Sequence, residues 1–179
     1  MKHQRGLTLI ELSLSLAVVL SITAFIAGNY LVNRSNARMD TLRTELMTVA
    51  SAVGQMARAG NIAGITTATV GQSRLLPDGN VFGVGAGTVI SNAMGGRFEI
   101  ASAAMPGVSA TGLRIRVTGL EDGPCVEAAM MMAERFDAVS AGGTVVKNRL
   151  LATPIRASRA LAQTGCTANA SQLDFLLLP

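Results

Sequence analysis

The sequence predicts an α+β fold in which one long N-terminal helix packs against a β-sheet. Near the N-terminus, an uncharged apolar stretch over residues 12–33 leads into an amphipathic helical pattern that extends to about residue 59. Farther along, residues 97–100 and 113–117 alternate apolar and polar side chains with the period of a strand. The chain has 179 residues, which is enough for one globular domain in addition to such a helix.

The apolar stretch is the strongest single feature of the chain. As a helix it would be about 33 Å long, which is sufficient to cross the hydrocarbon core of a bilayer. Lys2 and Arg5 precede it and favour a cytoplasmic N-terminus. An ordinary secretory signal fits poorly, because the stretch is too long and no clear Ala-x-Ala cleavage site follows it.

The second half of the predicted helix is amphipathic. Its apolar positions recur at alternating spacings of three and four residues: Met39, Leu42, Leu46, Val49, Val53 and Met56. Its opposite face carries charge: Arg38, Asp40, Arg43, Glu45 and Arg58. The pattern is short for a coiled coil, so we expect it to pack on a sheet. One helix is therefore predicted from about Leu7 to Ala59, with Gly60-Asn61 as its end.

The remaining segments indicate a sheet with short helices. Residues 60–96 are rich in Gly, Thr, Ser and Ala, which predicts a loop from the long helix to the sheet. The glycines at 83–87 are not followed by Lys-Ser/Thr, so they do not indicate a phosphate-binding loop. Short helices are expected over 125–136 and 158–163. Residues 173–178, which are apolar apart from Asp174, predict a final strand in a central, covered position.

The hexapeptide Gly6-Leu7-Thr8-Leu9-Ile10-Glu11 resembles the processing motif of type IV prepilins. The resemblance implies that a prepilin peptidase cuts after Gly6 on the cytoplasmic face and methylates the new N-terminal residue, Leu7. It also implies a role in subunit assembly for Glu11, a carboxylate that is costly beside an apolar span. In the family this carboxylate neutralises the N-terminal amine of a neighbouring subunit, where an unpaired charge would be unfavourable.

The resemblance also implies how the whole chain is divided. It implies a leader peptide over residues 1–6 that is removed, a long helix over 7–59 and a globular pilin domain over 60–179. Residues 7–33 would form the transmembrane half of the helix, and the core of the filament after assembly. The implied architecture is the pilin fold, with the helix packed on an antiparallel sheet.

The chain has two cysteines, Cys125 and Cys166, and the expected export would bring both into an oxidising compartment. In an oxidising compartment they are expected to form one disulfide, and the alternative is a pair of buried free thiols. The bond would close a loop of about 40 residues and contribute roughly 4 kcal/mol on the chain-entropy model.

Three further features are similar to the type IVb, or bundle-forming, pilins. They are the Asn-x-x-Gly-Gly turn at 92–96, the sequence Gly123-Pro124-Cys125-Val126 at a helix start, and Cys166 between a short helix and the final strand. Leu7, in place of the phenylalanine common in type IVa pilins, favours the same class. The six-residue leader is more typical of type IVa.

The expected function is that of a major pilin, a structural subunit of a surface filament for adhesion, aggregation or conjugation. The implied partners are further copies in a helical filament, the prepilin peptidase, the inner membrane before assembly and the pilus assembly machinery. The expected location is the inner membrane and then the extracellular pilus of a bacterium. The alternative is a minor pilin or a type II secretion pseudopilin, which shares the same N-terminus.

Other functional classes are disfavoured by composition. The only histidine is His3, inside the expected leader, so no metal site, cofactor or histidine-dependent catalytic residue is predicted. A membrane-anchored periplasmic enzyme would have to use a carboxylate pair such as Glu121-Asp122, whose sequence context indicates a turn. Nucleic-acid binding is not predicted, because basic residues are scattered and aromatics are 3% of the chain.

Overall fold

The structure is a computed structural model that describes residues 9–60, 62–105, 108–167 and 172–178. Two compact units divide the chain, one up to Arg38 and one from Met39 onward. Each unit is described by itself. The second unit contains the amphipathic half of the long helix in addition to the residues that follow it.

Helix α1 runs without interruption from Leu9 to Arg58 and supplies the whole described part of the first unit. The long N-terminal helix that the sequence predicts is therefore present. Gly28 is its only glycine before the amphipathic half, and nothing lies within 4 Å of the position that a Cβ would occupy there. After Arg58, Gly60 adopts a positive φ of 101° and its N–H donates to the carbonyl of Ala57. This reversal is the usual glycine-dependent end of a helix.

The second unit is built on one seven-stranded sheet in which every pairing is antiparallel. The order of the strands across the sheet is β1-β2-β3-β4-β7-β5-β6. This confirms the predicted α+β class with an antiparallel sheet. The strands are β1 Val81–Phe82, β2 Val89–Ser91, β3 Arg97–Met105, β4 Val108–Val117, β5 Ala138–Ala141, β6 Thr144–Asn148 and β7 Leu173–Leu177.

Strand β7 lies between β4 and β5, so the C-terminal segment occupies the interior of the sheet. Its side chains from Leu173 to Leu176 are all buried. The predominantly apolar character of this segment predicted such a position, and the prediction is confirmed. Phe175 also contacts Phe136, with ring centroids 4.8 Å apart.

The amphipathic half of α1 contributes its apolar seam to the core of the second unit. The buried seam residues are Met39, Leu42, Leu46, Val49 and Val53, together with Ala52 and Ala57. Met56, also predicted for the seam, is half-buried. Burial of the large side chains in this set removes apolar area from water, which contributes about 1.5–3 kcal/mol for each fully buried Met, Leu or Val.

Three shorter helices complete this unit: α2 Thr67–Gln72, α3 Asp122–Met132 and α4 Arg159–Cys166. Helices α3 and α4 agree with the helices expected near 125–136 and 158–163. The loop expected over residues 60–96 is only partly a loop, because it contains α2, β1 and β2. A Thr66–Thr69 capping box begins α2 by hydrogen bonds between side chains and backbone.

Candidate functional site

The first candidate site is the apolar surface of α1 in the first unit. All described side chains from Ile10 to Arg38 are exposed within the chain. Among the described residues, Ile10–Arg58 is the one helix that is long and apolar enough to span a membrane, judged by length and composition. A surface of this kind requires an apolar surround, because soluble monomers rarely expose patches beyond a few hundred Å². Its large exposed side chains are Ile10, Leu12, Leu14, Leu16, Val18, Val19, Leu20, Ile22, Phe25, Ile26, Tyr30 and Val32.

Four serine and threonine hydroxyl groups within this surface donate to carbonyls of the helix itself. Ser13 and Ser15 donate to the carbonyls of Ile10 and Glu11, at 2.9 and 2.7 Å. Ser21 and Thr23 donate in the same way to carbonyls three and four residues earlier. Because each donor has a local acceptor, the segment can enter an apolar environment without leaving these hydroxyls unpaired.

Glu11 lies in the first turn of α1 and its side chain is exposed within the chain. A carboxylate is favourable there, since the N-terminal end of a helix carries partial positive charge. Gly6 and Leu7, the predicted processing residues, lie outside the described residues.

A disulfide joins Cys125 of α3 to Cys166 of α4, as the sequence analysis predicted. Both residues are buried, and their Cα atoms are 5.8 Å apart across a sequence separation of 41. The neighbouring Gly165 lies against β5, where a Cβ would meet the carbonyl oxygen of Ala141 at 2.2 Å. The bond therefore ties α3 to a helix that is itself packed closely on the sheet.

The Asn-x-x-Gly-Gly segment forms a tight turn between β2 and β3. The Asn92 Oδ1 atom accepts hydrogen bonds from the N–H groups of Met94 and Gly96, each at 3.0 Å. Its Nδ2 atom donates to the carbonyl of Thr118, also at 3.0 Å. Gly95 has a positive φ of 86°. The Asn92 side chain therefore bonds the β2–β3 turn to the residue that follows β4. The positive φ of Gly95 is a conformation that favours glycine.

Sequence reasoning missed the role of Glu45. It was assigned to the charged, solvent-facing side of the helix, but its carboxylate is half-buried. Oε1 accepts from Asn80 Nδ2 at 2.9 Å, and Oε2 accepts from the backbone N–H of Ala93 at 2.8 Å. Helix α1 is thereby bonded to both ends of the β1–β2 region. Both partners lie at least 35 positions away, and helical periodicity carries no signal of such contacts.

An ion pair on the sheet face joins β4 to β7. Arg116 donates through Nε and Nη2 to the two carboxylate oxygens of buried Asp174, at 2.7 and 3.2 Å. The hydrogen bond to Asp174 raises the pKa of the Arg116 guanidinium, against the opposing effect of its own desolvation. The Nε atom of Arg114 lies 3.9 Å from the same carboxylate. These contacts lock the register of the central strands.

The carboxylate pair Glu121-Asp122 lies exposed at the start of α3. The Glu121 carbonyl accepts from the N–H of Cys125 at 2.8 Å, which begins the helix. Within the described ranges, no group of three or more His, Cys, Asp or Glu side chains is arranged to hold a metal ion.

Comparison with known proteins supplies a family and a fold. The family described as PilS N terminal matches residues 34–176. Among solved structures, the chain is similar to a type IVb pilin from Salmonella typhi, with a TM-score of 0.61 at 19% identity. That match covers 78% of this chain and 99% of the Salmonella typhi chain. No curated protein matches the chain.

Proposed function

Since the chain belongs to the PilS N terminal family, whose members are type IV pilins, we propose that it is the major structural subunit of a type IV pilus. The likeness in fold to a type IVb pilin agrees with the type IVb features of residues 92–96 and the two cysteines. Pilins assemble into filaments, and the proposed role is therefore structural rather than catalytic.

The exposed apolar half of α1 is the observation that carries this proposal. A helix with apolar side chains on every face, whose serine and threonine hydroxyls bond to its own carbonyls, is unstable in water but stable in either of two apolar surroundings. One is the inner membrane before assembly. The other is the core of a filament, where copies of the same helix surround each other. Transfer between the two exchanges one apolar environment for another at small free-energy cost.

We further propose how the chain enters the filament. The prepilin peptidase removes residues 1–6 at the cytoplasmic face and methylates Leu7. In the filament, Glu11 compensates the positive charge of the Leu7 amine of a neighbouring copy. The pilus assembly machinery then extrudes the subunits to the bacterial surface, where the globular domain faces solvent and serves adhesion, aggregation or conjugation.

Mass spectrometry of sheared surface filaments tests the proposal in one measurement. We expect this chain as the dominant protein, beginning at a methylated Leu7 and containing the Cys125–Cys166 bond. A chain that still begins at Met1, or is cut near Gly28, would contradict prepilin processing. Low abundance relative to another pilin would instead identify a minor pilin, and presence only in a secretion apparatus would identify a pseudopilin.

A further inference from the structure

The apolar surface of α1 ends in a stripe of three exposed residues, Tyr30, Arg34 and Arg38, here called the boundary stripe. Tyr30 is 64% exposed, and both arginines are exposed. Because these residues are spaced four positions apart, their side chains lie one above the other on the same side of the helix. Arg34 is also the first charged residue after the uncharged residues 12–33. The stripe therefore marks the point where the apolar surface gives way to charge.

The distance from Glu11 to Tyr30 matches the thickness of the hydrocarbon core of a bilayer. The 19 positions between them correspond to about 29 Å of helix, and the hydrocarbon core is about 30 Å thick. When Glu11 lies at the cytoplasmic boundary, Tyr30 therefore lies at the opposite boundary, a depth that favours tyrosine. Arg34 and Arg38 follow one and two turns later. Helical side chains tilt toward the N-terminus, so both arginines reach back toward the bilayer.

The positive charge of these two arginines is not neutralised by their own helix. They are the only charged residues in the range 12–39. The nearest acidic residue, Asp40, is two positions beyond Arg38, and residues two apart on a helix do not face each other. The ion pairs found among the described side chains involve other arginines: Arg97, Arg114, Arg116 and Arg149. Both guanidinium groups of the stripe are therefore available to a ligand outside the chain.

The orientation of the helix does not explain these arginines. Basic residues are enriched on the cytoplasmic side of a span, whereas Arg34 and Arg38 follow the span on its periplasmic side. A guanidinium group presents its N–H donors in a planar fork that matches two oxygens of a phosphate. At this depth phosphates belong to phospholipid headgroups, and a headgroup with net negative charge is attracted most strongly.

We propose that the boundary stripe binds the headgroup of an anionic phospholipid in the periplasmic leaflet of the inner membrane. Tyr30 lies at the edge of the hydrocarbon core, and Arg34 and Arg38 bind phosphate oxygens beside it. The contact fixes the depth of α1 in the membrane, and it is released when the helix enters a filament. It rests on the proposed function, because it concerns the membrane stage of a pilin.

Native mass spectrometry of the full-length chain tests the contact. The chain is released from nanodiscs that contain equal amounts of phosphatidylglycerol and phosphatidylcholine, and the lipids that stay bound are identified. Wild type should retain phosphatidylglycerol over phosphatidylcholine at least about fivefold, the preference expected from a single arginine at an anionic surface. Arg34→Gln/Arg38→Gln should lose most of this preference. The matched control, Arg58→Gln/Arg156→Gln, removes two exposed arginines of the second unit and should keep it.

Equal retention of the two lipids by wild type would overturn the inference, and so would a loss of the same size in the control. Displacement of the bound lipid by inorganic phosphate would also overturn it, because the arginines would then form a site for free phosphate. Insertion without any lipid preference leaves the proposed function intact. A chain that does not insert into the nanodiscs at all would contradict the membrane stage of the proposed function, and the lipid contact with it.

The depth of the stripe provides a second measurement. Tyr30 is the only tyrosine of the chain and tryptophan is absent, so tyrosine emission reports on this one position. In phosphatidylglycerol vesicles, lipids brominated near the headgroup should quench the emission more strongly than lipids brominated near the end of the acyl chain. In Arg34→Gln/Arg38→Gln this difference should shrink, because the helix is no longer held at one depth. Identical quenching of the two chains, or strongest quenching of wild type from the bilayer centre, would overturn the inference.

Discussion

The Glu45 Oε2 atom accepts a hydrogen bond from the backbone N–H of Ala93 at 2.8 Å, across 48 positions of sequence. The bond joins the amphipathic half of α1 to the turn that precedes β3. Oε1 of the same carboxylate accepts from Asn80, immediately before β1. One side chain on the helix therefore holds both ends of the β1–β2 hairpin.

Replacement of Glu45 should weaken this part of the fold. Glutamine keeps the shape but turns one acceptor into a donor, so one of the two N–H donors that face it loses its partner. We expect Glu45→Gln to lower the free energy of unfolding by about 1–2 kcal/mol. Urea unfolding of the full chain in detergent, followed by circular dichroism, measures the change. Asp40→Asn, an exposed substitution on the same helix, is the control and should change it by less than about 0.5 kcal/mol. Equal stability of the two variants would contradict the role of Glu45.

Gly96 is expected to tolerate no side chain. A Cβ at this position would lie 1.8 Å from the carbonyl oxygen of Thr118, so the turn would have to move away from β4. Gly96→Ala should destabilise the chain by about 2–3 kcal/mol in the same unfolding experiment. Gly123→Ala is the matched control, because a Cβ there has nothing within 4 Å. Since Gly123 lies in α3, the control should be neutral or stabilising by up to about 1 kcal/mol. A loss of similar size in both variants would argue against the close approach.

The Arg116–Asp174 pair should show strong coupling. Asp174 is 2% exposed at its side chain and Arg116 is 23% exposed. Arg116→Leu leaves a buried carboxylate with only the more distant Arg114, so we expect a loss of about 2–3 kcal/mol. Arg116→Leu/Asp174→Leu removes both charges and should recover most of that loss. A double-mutant cycle measures the coupling, and additive single effects would contradict it.

The pH dependence of this pair follows from the direction of the Arg116 pKa. That pKa is raised in the folded chain, so its contribution is complete below the pKa of an unfolded arginine and declines only as pH rises through the still higher folded value. Between about pH 7 and about pH 10, the difference in unfolding free energy between wild type and Arg116→Leu should therefore stay constant. A difference that shrinks over this range would mean that Arg116 loses its proton below the ordinary pKa of arginine, which contradicts a raised pKa.

Glu11→Ala should separate membrane insertion from assembly. We expect the variant chain to reach the inner membrane at wild-type levels, because the apolar stretch remains intact. Filament yield should fall at least about tenfold, which corresponds to about 1.4 kcal/mol or more. Ser13→Ala is the control, since the Ser13 hydroxyl bonds only within its own helix. Sheared filaments quantified against membrane-bound subunit give both values. Normal piliation of Glu11→Ala would refute the charge-compensating role, and Glu11→Gln distinguishes charge from size.

Much of the fold could be predicted because its signals are local. The seam from Met39 to Val53 repeats at helical spacing, and the segment from Leu173 to Leu177 is apolar apart from Asp174, so local pattern and composition indicated a packed helix and a covered strand. Strands β1, β2, β5 and β6 were missed because they contain two to five residues each. Strands β1 and β2 are too short to show a period, and β5 and β6 do not alternate apolar and polar side chains, so these segments form strands only when partners align beside them.

By itself, the sequence determined the apolar helix, its amphipathic continuation, the α+β class and the two cysteines available for a bond. Each of these depends on residue type and on spacing within a single segment. Tertiary structure alone decided that Glu45 faces Asn80 and Ala93 rather than solvent, that Asp174 is buried beside Arg116, and that strand β7 lies between β4 and β5. Those relationships join residues far apart in the chain, and they exist only after strand order and register have brought them together.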